Sequence, residues 1–199
     1  MIFWSQLLKE VQKKLRKENK ITMEIFLTGS GKYNFITCTN DGIFDLDYNI
    51  LIHKIPDEYK NNPGKLKDLI RRTIDELRNS DKPTDIKISF GKNSKVPITY
   101  IVSKNSQKIM SADIAIHMCN RKTKNISRLV LDKTDGHYSW EEVSYKFQSS
   151  EMTENIKLIN KNSLSDKLRS GYLKKKEKLS NANSFELLYQ TVNEVHDLI

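Results

Sequence analysis

Residues 26–52 read FLTGSGKYNFITCTNDGIFDLDYNILI, and the end of this stretch predicts the fold. From residue 44 onward apolar and polar side chains alternate, and a period of two is typical of a half-buried β-strand. Asp45 and Asp47 therefore fall on one face of the strand, roughly 7 Å apart along it. The opposite face carries the apolar residues Phe44, Leu46, Tyr48, Ile50 and Ile52.

The two carboxylates on one strand face indicate a cation site. Aspartate is depleted in strands, and like charges at this spacing repel each other. A third acid, Asp113, stands in the apolar segment KIMSADIAIHM, which also predicts a strand. Hard oxygen ligands of this kind bind Mg²⁺, with Mn²⁺ as the alternative. Three carboxylates from two strands are the set that two-metal phosphoryl or nucleotidyl transfer requires. An ordinary strand with solvent-facing aspartates is the alternative interpretation.

A phosphate-binding turn is predicted upstream of the Asp strand. Gly29 and Ser30 directly follow the short apolar run Ile25-Phe26-Leu27. A Gly-Ser turn that leaves a strand can present backbone N–H groups and a hydroxyl to a phosphate. The turn alone is a weak signal, and the Asp-x-Asp strand just downstream strengthens it.

Together these residues resemble a known superfamily. The Gly29-Ser30 turn, the Asp45-Leu46-Asp47 strand and the later Asp113 resemble the motif of the DNA polymerase β-like nucleotidyltransferases. Residues 25–120 are most similar to the branch that holds cyclic GMP–AMP synthase and oligoadenylate synthase. The interval from Ser30 to Asp45 is slightly long for the motif, and we interpret residues 31–42 as an insertion.

The resemblance implies an activity and a set of roles. It implies a Mg²⁺-dependent enzyme that transfers a nucleoside monophosphate from a nucleoside triphosphate to a hydroxyl, with release of pyrophosphate. Asp45, Asp47 and Asp113 would be the catalytic metal ligands, and Gly29 and Ser30 would hold the phosphates. The acceptor is left open: another nucleotide, RNA, a small molecule or a protein hydroxyl.

A second, fainter resemblance lies in the tail. The segment RSGYLKKKEKLSNANSFELLYQTV is similar to the cyclic GMP–AMP synthase region in which a Lys-rich helix precedes a Ser-aromatic pair. The resemblance implies that Ser184 touches the triphosphate and that Phe185 stacks on the base. The alternative is a plain helix N-cap followed by a core phenylalanine.

The predicted fold class is α/β (α+β). A central, mixed, twisted sheet bears the three aspartates and is flanked by helices, and a small C-terminal helical lobe follows. Residues 1–138 are predicted to form the catalytic core and residues 139–199 the lobe, with the chain turning helical at Ser139. The active site is expected in the cleft between them. The aromatic group of His137, Tyr138 and Trp140 could line the nucleotide pocket, but we favour an anchor for the C-terminal helices.

Composition is consistent with these expectations. The 199 residues are 37% hydrophobic and 30% charged, with a net charge of +9. No apolar run is long enough to span a membrane, and the N-terminus lacks the pattern of a signal peptide. The cysteines Cys38 and Cys119 have no metal-binding spacing, so we expect a reduced, cytoplasmic protein.

Two other classes of function stay open. A basic chain attracts anions, so a non-catalytic nucleotide- or RNA-binding module on the same fold is the main alternative. A scaffold that works with a protein partner, in which the acids are incidental, is weaker. On the Asp113 strand, His117 shares the Asp face and could lie near the metals, although such a histidine is more often a packed residue.

Overall fold

A computed structural model describes residues 2–32, 43–78, 86–91, 98–120, 122–132, 134–143, 150–178 and 184–199. The chain forms two compact units. The first holds the helices α1 (Ile2–Asn19), α3 (Asp57–Lys60) and α4 (Pro63–Arg78). Its strands are β1 (Thr22–Thr28), β2 (Phe44–Lys54), β3 (Ile86–Phe90), β4 (Ile98–Lys104), β5 (Gln107–Cys119), β6 (Ile126–Leu131) and β7 (Tyr138–Val143). The second unit holds α2 (Gly29–Lys32), α5 (Ser150–Lys161), α6 (Ser165–Lys178) and α7 (Ser184–His196).

The seven strands that the described residues form make one mixed sheet. The strand order is β1-β2-β5-β4-β3. In addition, β6 pairs with β5, and β7 pairs with β6. The pairing of β2 with β5 is parallel and the remaining pairings are antiparallel. The predicted fold class is thereby confirmed, and the parallel pair is the one that carries all three aspartates.

The period of two in β2 sorts its side chains as predicted. The inward positions Leu46, Tyr48, Ile50 and Ile52 are buried, whereas Asp45, Asp47 and Asn49 are half-buried. Phe44 differs from the prediction because it lies at the start of the strand and is 42% exposed. Helices α1 and α4 pack on each other, and their buried residues include Trp4, Leu8, Val11, Leu15, Leu66, Ile70 and Ile74.

The prediction of a helix that begins at Ser139 is wrong. Residues 138–143 form β7, which pairs antiparallel with β6. Ion pairing supports this register, since Arg128 contacts Glu141 at 2.6 Å. The connecting turn uses Gly136 at a φ of +74°, a conformation that favours glycine. The domain boundary at 138/139 stays a prediction.

The aromatic residues after this turn anchor the hairpin within the first unit. Lys67 of α4 donates a hydrogen bond of 2.6 Å to the Tyr138 hydroxyl and lies 4.4 Å from the centre of its ring. Trp140 donates through Nε1 to the carbonyl of Lys60 at 3.1 Å. His137 is exposed. The predicted anchoring on the C-terminal helices is therefore wrong for Tyr138 and Trp140, which contact the helical segment between β2 and β3.

The second unit has its own apolar core. Its buried members are Met152, Ile156, Ile159, Leu168, Tyr172, Leu187, Leu188, Val192 and Val195. Helices α6 and α7 supply most of them. None of the described helices is long and apolar enough to cross a membrane.

Candidate active site

Two of the predicted site residues are direct neighbours in the sheet. Asp47 of β2 and Asp113 of β5 are register partners across the parallel pair. Adjacent strands lie about 4.8 Å apart, and partners on one face point the same way. Two carboxylates therefore project from one face at the spacing of neighbouring strands. Like charges at such a spacing repel each other.

Asp45 lies two residues before Asp47 on the same face. Its register partner on β5 is Ser111, which is buried. The Ser111 hydroxyl donates a hydrogen bond to Oδ1 of Asp45. The Asp45 carboxylate is thus held by the strand that carries Asp113, and all three acids belong to one patch of the sheet.

Asp113 has a hydroxyl partner on its other side. Thr99 of β4 is its register partner and donates through Oγ1 to Oδ1 of Asp113 at 2.6 Å. Burial raises the pKa of Asp113 above its ordinary value, and the charge of Asp45 adds to the rise. The hydrogen bond from Thr99 and the charge of Lys108 oppose it. The site therefore disfavours the ionised form of Asp113 when no cation is near.

The chemistry of the donor set fits a hard divalent cation. Three carboxylates on one sheet face are the oxygen ligands that Mg²⁺ prefers. Within the described residues, however, no group of three or more His, Cys, Asp or Glu side chains is gathered closely enough to hold a metal ion. Asp45 and Asp113 accept hydrogen bonds from Ser111 and Thr99 instead. Gathering the three acids around a cation stays a prediction.

Gly29 and Ser30 follow β1 directly. They open α2, and Gly29 has a φ of +57°, in the left-handed region that favours glycine. The preceding Thr28 is the register partner of Asp47 and donates through Oγ1 to its carbonyl at 3.2 Å. Most of the interpreted insertion, residues 33–42, lies outside the described residues. The phosphate-binding role of Gly29 and Ser30 stays a prediction.

The tail residues that are predicted to bind nucleotide open a helix. Ser184 and Phe185 are the first two residues of α7. Their side chains lie outside the described part of the chain, so the predicted contacts with triphosphate and base stay predictions. Lys175, from the Lys-rich end of α6, pairs with Glu194 of α7 at 2.5 Å.

His117 is a packed residue on the Asp113 strand. It is 2% exposed, and its register partner is Arg128 of β6. Burial lowers the pKa of His117 to about 4, with the charge of Arg128 as a second cause. The imidazole is therefore neutral at physiological pH.

Two residues of the site, Ser111 and Thr99, were not predicted from the sequence. Ser111 has a usable signal, because it lies two positions before Asp113 and so shares its strand face. Thr99 has none, since its place beside Asp113 depends on the register between β4 and β5. Both supply hydroxyl donors to the predicted catalytic acids.

Comparison with solved structures identifies the fold. No protein-family model and no curated protein matches the chain. The Elizabethkingia meningoseptica cyclic dinucleotide synthase CdnE, solved with GTP and Apcpp, is similar at a TM-score of 0.53 and 14% identity over 97% of this chain and 69% of its own. The Vibrio cholerae enzyme DncV in its 3′-deoxy ATP bound form gives 0.52 and 13% over 98% of this chain and 50% of its own. The chain has the nucleotidyltransferase fold.

The likeness extends to DncV in other states. The complex of this cyclic AMP–GMP synthase with the linear intermediate pppA(3′,5′)pG is similar at a TM-score of 0.52 and 14% identity. That match covers 90% of this chain and 46% of DncV. The chain thus spans about half the length of the DncV structures. At the level of fold, the resemblance to the cyclic GMP–AMP synthase-like branch of the nucleotidyltransferases is confirmed.

Proposed function

We propose that this chain is a nucleotidyltransferase that moves a nucleoside monophosphate from a nucleoside triphosphate to a hydroxyl acceptor. One observation carries the proposal: on a nucleotidyltransferase fold, Asp47 and Asp113 are paired across parallel strands with Asp45 beside them. An ordinary sheet gains nothing from this repulsive arrangement, whereas a divalent cation would turn it into an attractive one.

Each acid has a distinct role in the proposed reaction. Asp45 and Asp47 would hold Mg²⁺ and, through it, the triphosphate. Bound there, Mg²⁺ would neutralise the phosphate charge and make the acceptor hydroxyl more acidic. Asp113 would ligate the metal at the acceptor hydroxyl, help to orient that hydroxyl and accept its proton. The acceptor oxygen would bond to the α-phosphorus as the bond to the β-phosphate oxygen breaks, and pyrophosphate would leave.

The remaining predicted residues complete the proposal. Gly29 and Ser30 would hold the β- and γ-phosphates, and Ser184 and Phe185 would contact the triphosphate and the base. For the acceptor, a second nucleotide is the preferred class, because DncV is described with a linear dinucleotide intermediate. RNA, a small molecule or a protein hydroxyl would be alternative outcomes of an acceptor screen.

Pyrophosphate release tests the function directly. The wild-type chain with the four ribonucleoside triphosphates and Mg²⁺ should release pyrophosphate, and Asp47→Asn should abolish the release while urea unfolding shows an intact fold. Asp68→Asn, an exposed acid on α4, is the matched control and should keep wild-type activity. Full activity in Asp47→Asn would overturn the assignment.

A thermal-shift experiment separates this proposal from a non-catalytic module. A catalytic site should give a melting shift with triphosphate plus Mg²⁺ that exceeds the shifts that the two ligands give separately, because only ligands of the native state stabilise it. An RNA-binding module would instead show RNA affinity that falls steeply with salt and survives replacement of the three acids.

A further inference from the structure

A single row of partnered residues crosses four strands of the sheet at the level of the paired acids and ends just beyond a fifth. Asp47 and Asp113 form its centre, with Thr28 of β1 beside Asp47 and Thr99 of β4 beside Asp113. The row ends at Gly91, which follows β3 and donates its N–H to the Thr99 carbonyl at 2.7 Å. Threonines thus flank the two acids on both sides, and Gly91 lies next to Thr99 on the side away from Asp113.

Gly91 leaves no room for a side chain. A Cβ on this residue would lie 2.7 Å from Cγ2 and 2.9 Å from Cβ of Thr99. Real Cβ atoms essentially never approach so closely, and the atoms in the way belong to the short, branched side chain of Thr99. Because χ1 of a β-branched residue is stiff, Thr99 cannot yield without moving its hydroxyl. The absence of a side chain at Gly91 therefore allows Thr99 to reach Asp113.

The hydroxyl of Thr99 restrains the part of Asp113 that is otherwise free to turn. The last torsion of an aspartate side chain has a broad minimum, so an unheld carboxylate can rotate. The 2.6 Å hydrogen bond from Thr99 fixes Oδ1. A ligand or proton acceptor held by such a neighbour loses about 10- to 100-fold in metal affinity or activity when the neighbour is removed.

We propose that Thr99, backed by Gly91, is a positioning residue that fixes the Asp113 carboxylate for the transfer reaction. The inference rests on the proposed function and adds residues to it. Thr99 acts on the acid assigned to the acceptor hydroxyl, whereas the triphosphate is assigned to Asp45 and Asp47. Loss of the hydroxyl should therefore lower kcat and leave the KM for the triphosphate nearly unchanged.

Four variants of the full chain test the proposal. Thr99→Val keeps the shape and removes the donor, Thr99→Ser keeps the donor, and Gly91→Ala displaces Thr99. Thr73→Val is the matched control, because Thr73, like the half-buried Thr99, is a threonine that donates a hydrogen bond, here to the carbonyl of Leu69 within α4. Urea unfolding of each variant establishes that it folds.

Two readouts are needed, pyrophosphate release and Mn²⁺ affinity followed by electron paramagnetic resonance. We expect Thr99→Val to lower kcat and Mn²⁺ affinity about 10- to 100-fold, Gly91→Ala to change both in the same direction, and Thr99→Ser to restore them. Thr73→Val should resemble wild type.

The outcomes that overturn the inference differ from those that overturn the proposed function. A Thr99→Val variant with wild-type kcat and Mn²⁺ affinity overturns the positioning role, as does an equal loss in Thr99→Ser. A wild-type chain that releases no pyrophosphate overturns the proposed function, and the Mn²⁺ measurement then decides separately whether Thr99 orients a cation ligand. A wild type that also fails to bind Mn²⁺ overturns both.

Discussion

Asp47 and Asp113 are register partners on the two parallel strands at the centre of the sheet, and their side chains lie on the same face. Burial raises the pKa of Asp113, and the charge of Asp45 raises it further. Such an arrangement costs stability, as expected where function rather than folding selects the residues. The stability of the cation-free protein should therefore report on the site even before a substrate is known.

Asp113→Asn should stabilise the cation-free protein at neutral pH. Because its pKa is raised in the folded state, the folded chain binds the Asp113 proton more tightly than the unfolded chain. The stability that this proton provides is fully present below the ordinary value of 3.8 and is lost as pH rises through the folded-state pKa. Asparagine remains neutral and can still accept from Thr99, so it avoids the loss.

Urea unfolding with a chelator at several pH values measures this effect. The advantage of Asp113→Asn over wild type should grow from pH 3 toward pH 7, and Asp68→Asn should show no comparable gain. A variant that is less stable than wild type at pH 7 would contradict the predicted cost of the buried acid.

Divalent cations should offset the stability that the clustered acids cost the cation-free protein. A cation held by the three acids binds the native state alone, and at 100 times its Kd it adds about 2.7 kcal/mol to the free energy of unfolding. Mg²⁺ or Mn²⁺ should therefore raise the melting temperature of wild type and leave that of Asp47→Asn unchanged. Ca²⁺ at the same ionic strength is the control. A small, octahedral site should give a smaller melting shift with Ca²⁺ than with Mg²⁺, whereas general screening of charge should give equal shifts. An equal shift in Asp47→Asn would mean that the cation binds elsewhere.

The acid strand was predictable because its information is local. Alternation in β2 and the apolar setting of Asp113 are visible in short windows, and both strands are present. The chemistry of the residues predicted that the three acids share one site, but the pairing of Asp47 with Asp113 joins residues distant in sequence and was not predicted. Thr99 and Gly91 had no such support, because a register between separate strands is invisible to local patterns.

The failure at β7 has a specific physical cause. Ser139 followed by Glu141 and Glu142 matches the pattern of a helix start, in which a hydroxyl caps the helix and acids fill the first turn. Tertiary pairing outweighs this local preference, since β7 pairs along its whole length with β6 and Glu141 meets Arg128. Local capping contributes only about 1 kcal/mol, which a strand ladder readily exceeds.

The hydrogen bond between buried Lys67 and half-buried Tyr138 should fix the β6–β7 hairpin on α4. Lys67 is 3% exposed, and the Tyr138 hydroxyl accepts its hydrogen bond at 2.6 Å. Tyr138→Phe removes the acceptor and leaves a buried ammonium, which should cost about 2 to 4 kcal/mol. Lys67→Met removes the charge itself and should cost less, because an apolar side chain of similar size fills the space.

Chemical unfolding of the two single variants checks the order of these costs. Tyr59→Phe is the matched control, because Tyr59 is a buried tyrosine whose hydroxyl accepts only a 3.4 Å hydrogen bond from Asn19. It should cost under about 1 kcal/mol. If Lys67→Met is more damaging than Tyr138→Phe, the ammonium contributes to stability in a way that the described contacts do not explain.

His117 should make the protein acid-sensitive between pH 6.5 and pH 4. Burial and Arg128 lower its folded-state pKa to about 4 from an ordinary 6.5. As pH falls through 6.5, His117 becomes protonated in the unfolded chain but stays neutral in the folded chain. The stability that is present above pH 6.5 is therefore progressively lost. By pH 4.5 the loss should reach about 2 to 3 kcal/mol. His117→Gln should lack this part of the pH dependence, and His137→Gln, which alters an exposed histidine, should retain it. Urea unfolding at pH 7 and pH 4.5 measures the difference, and identical losses in His117→Gln and wild type would show that other groups cause the acid sensitivity.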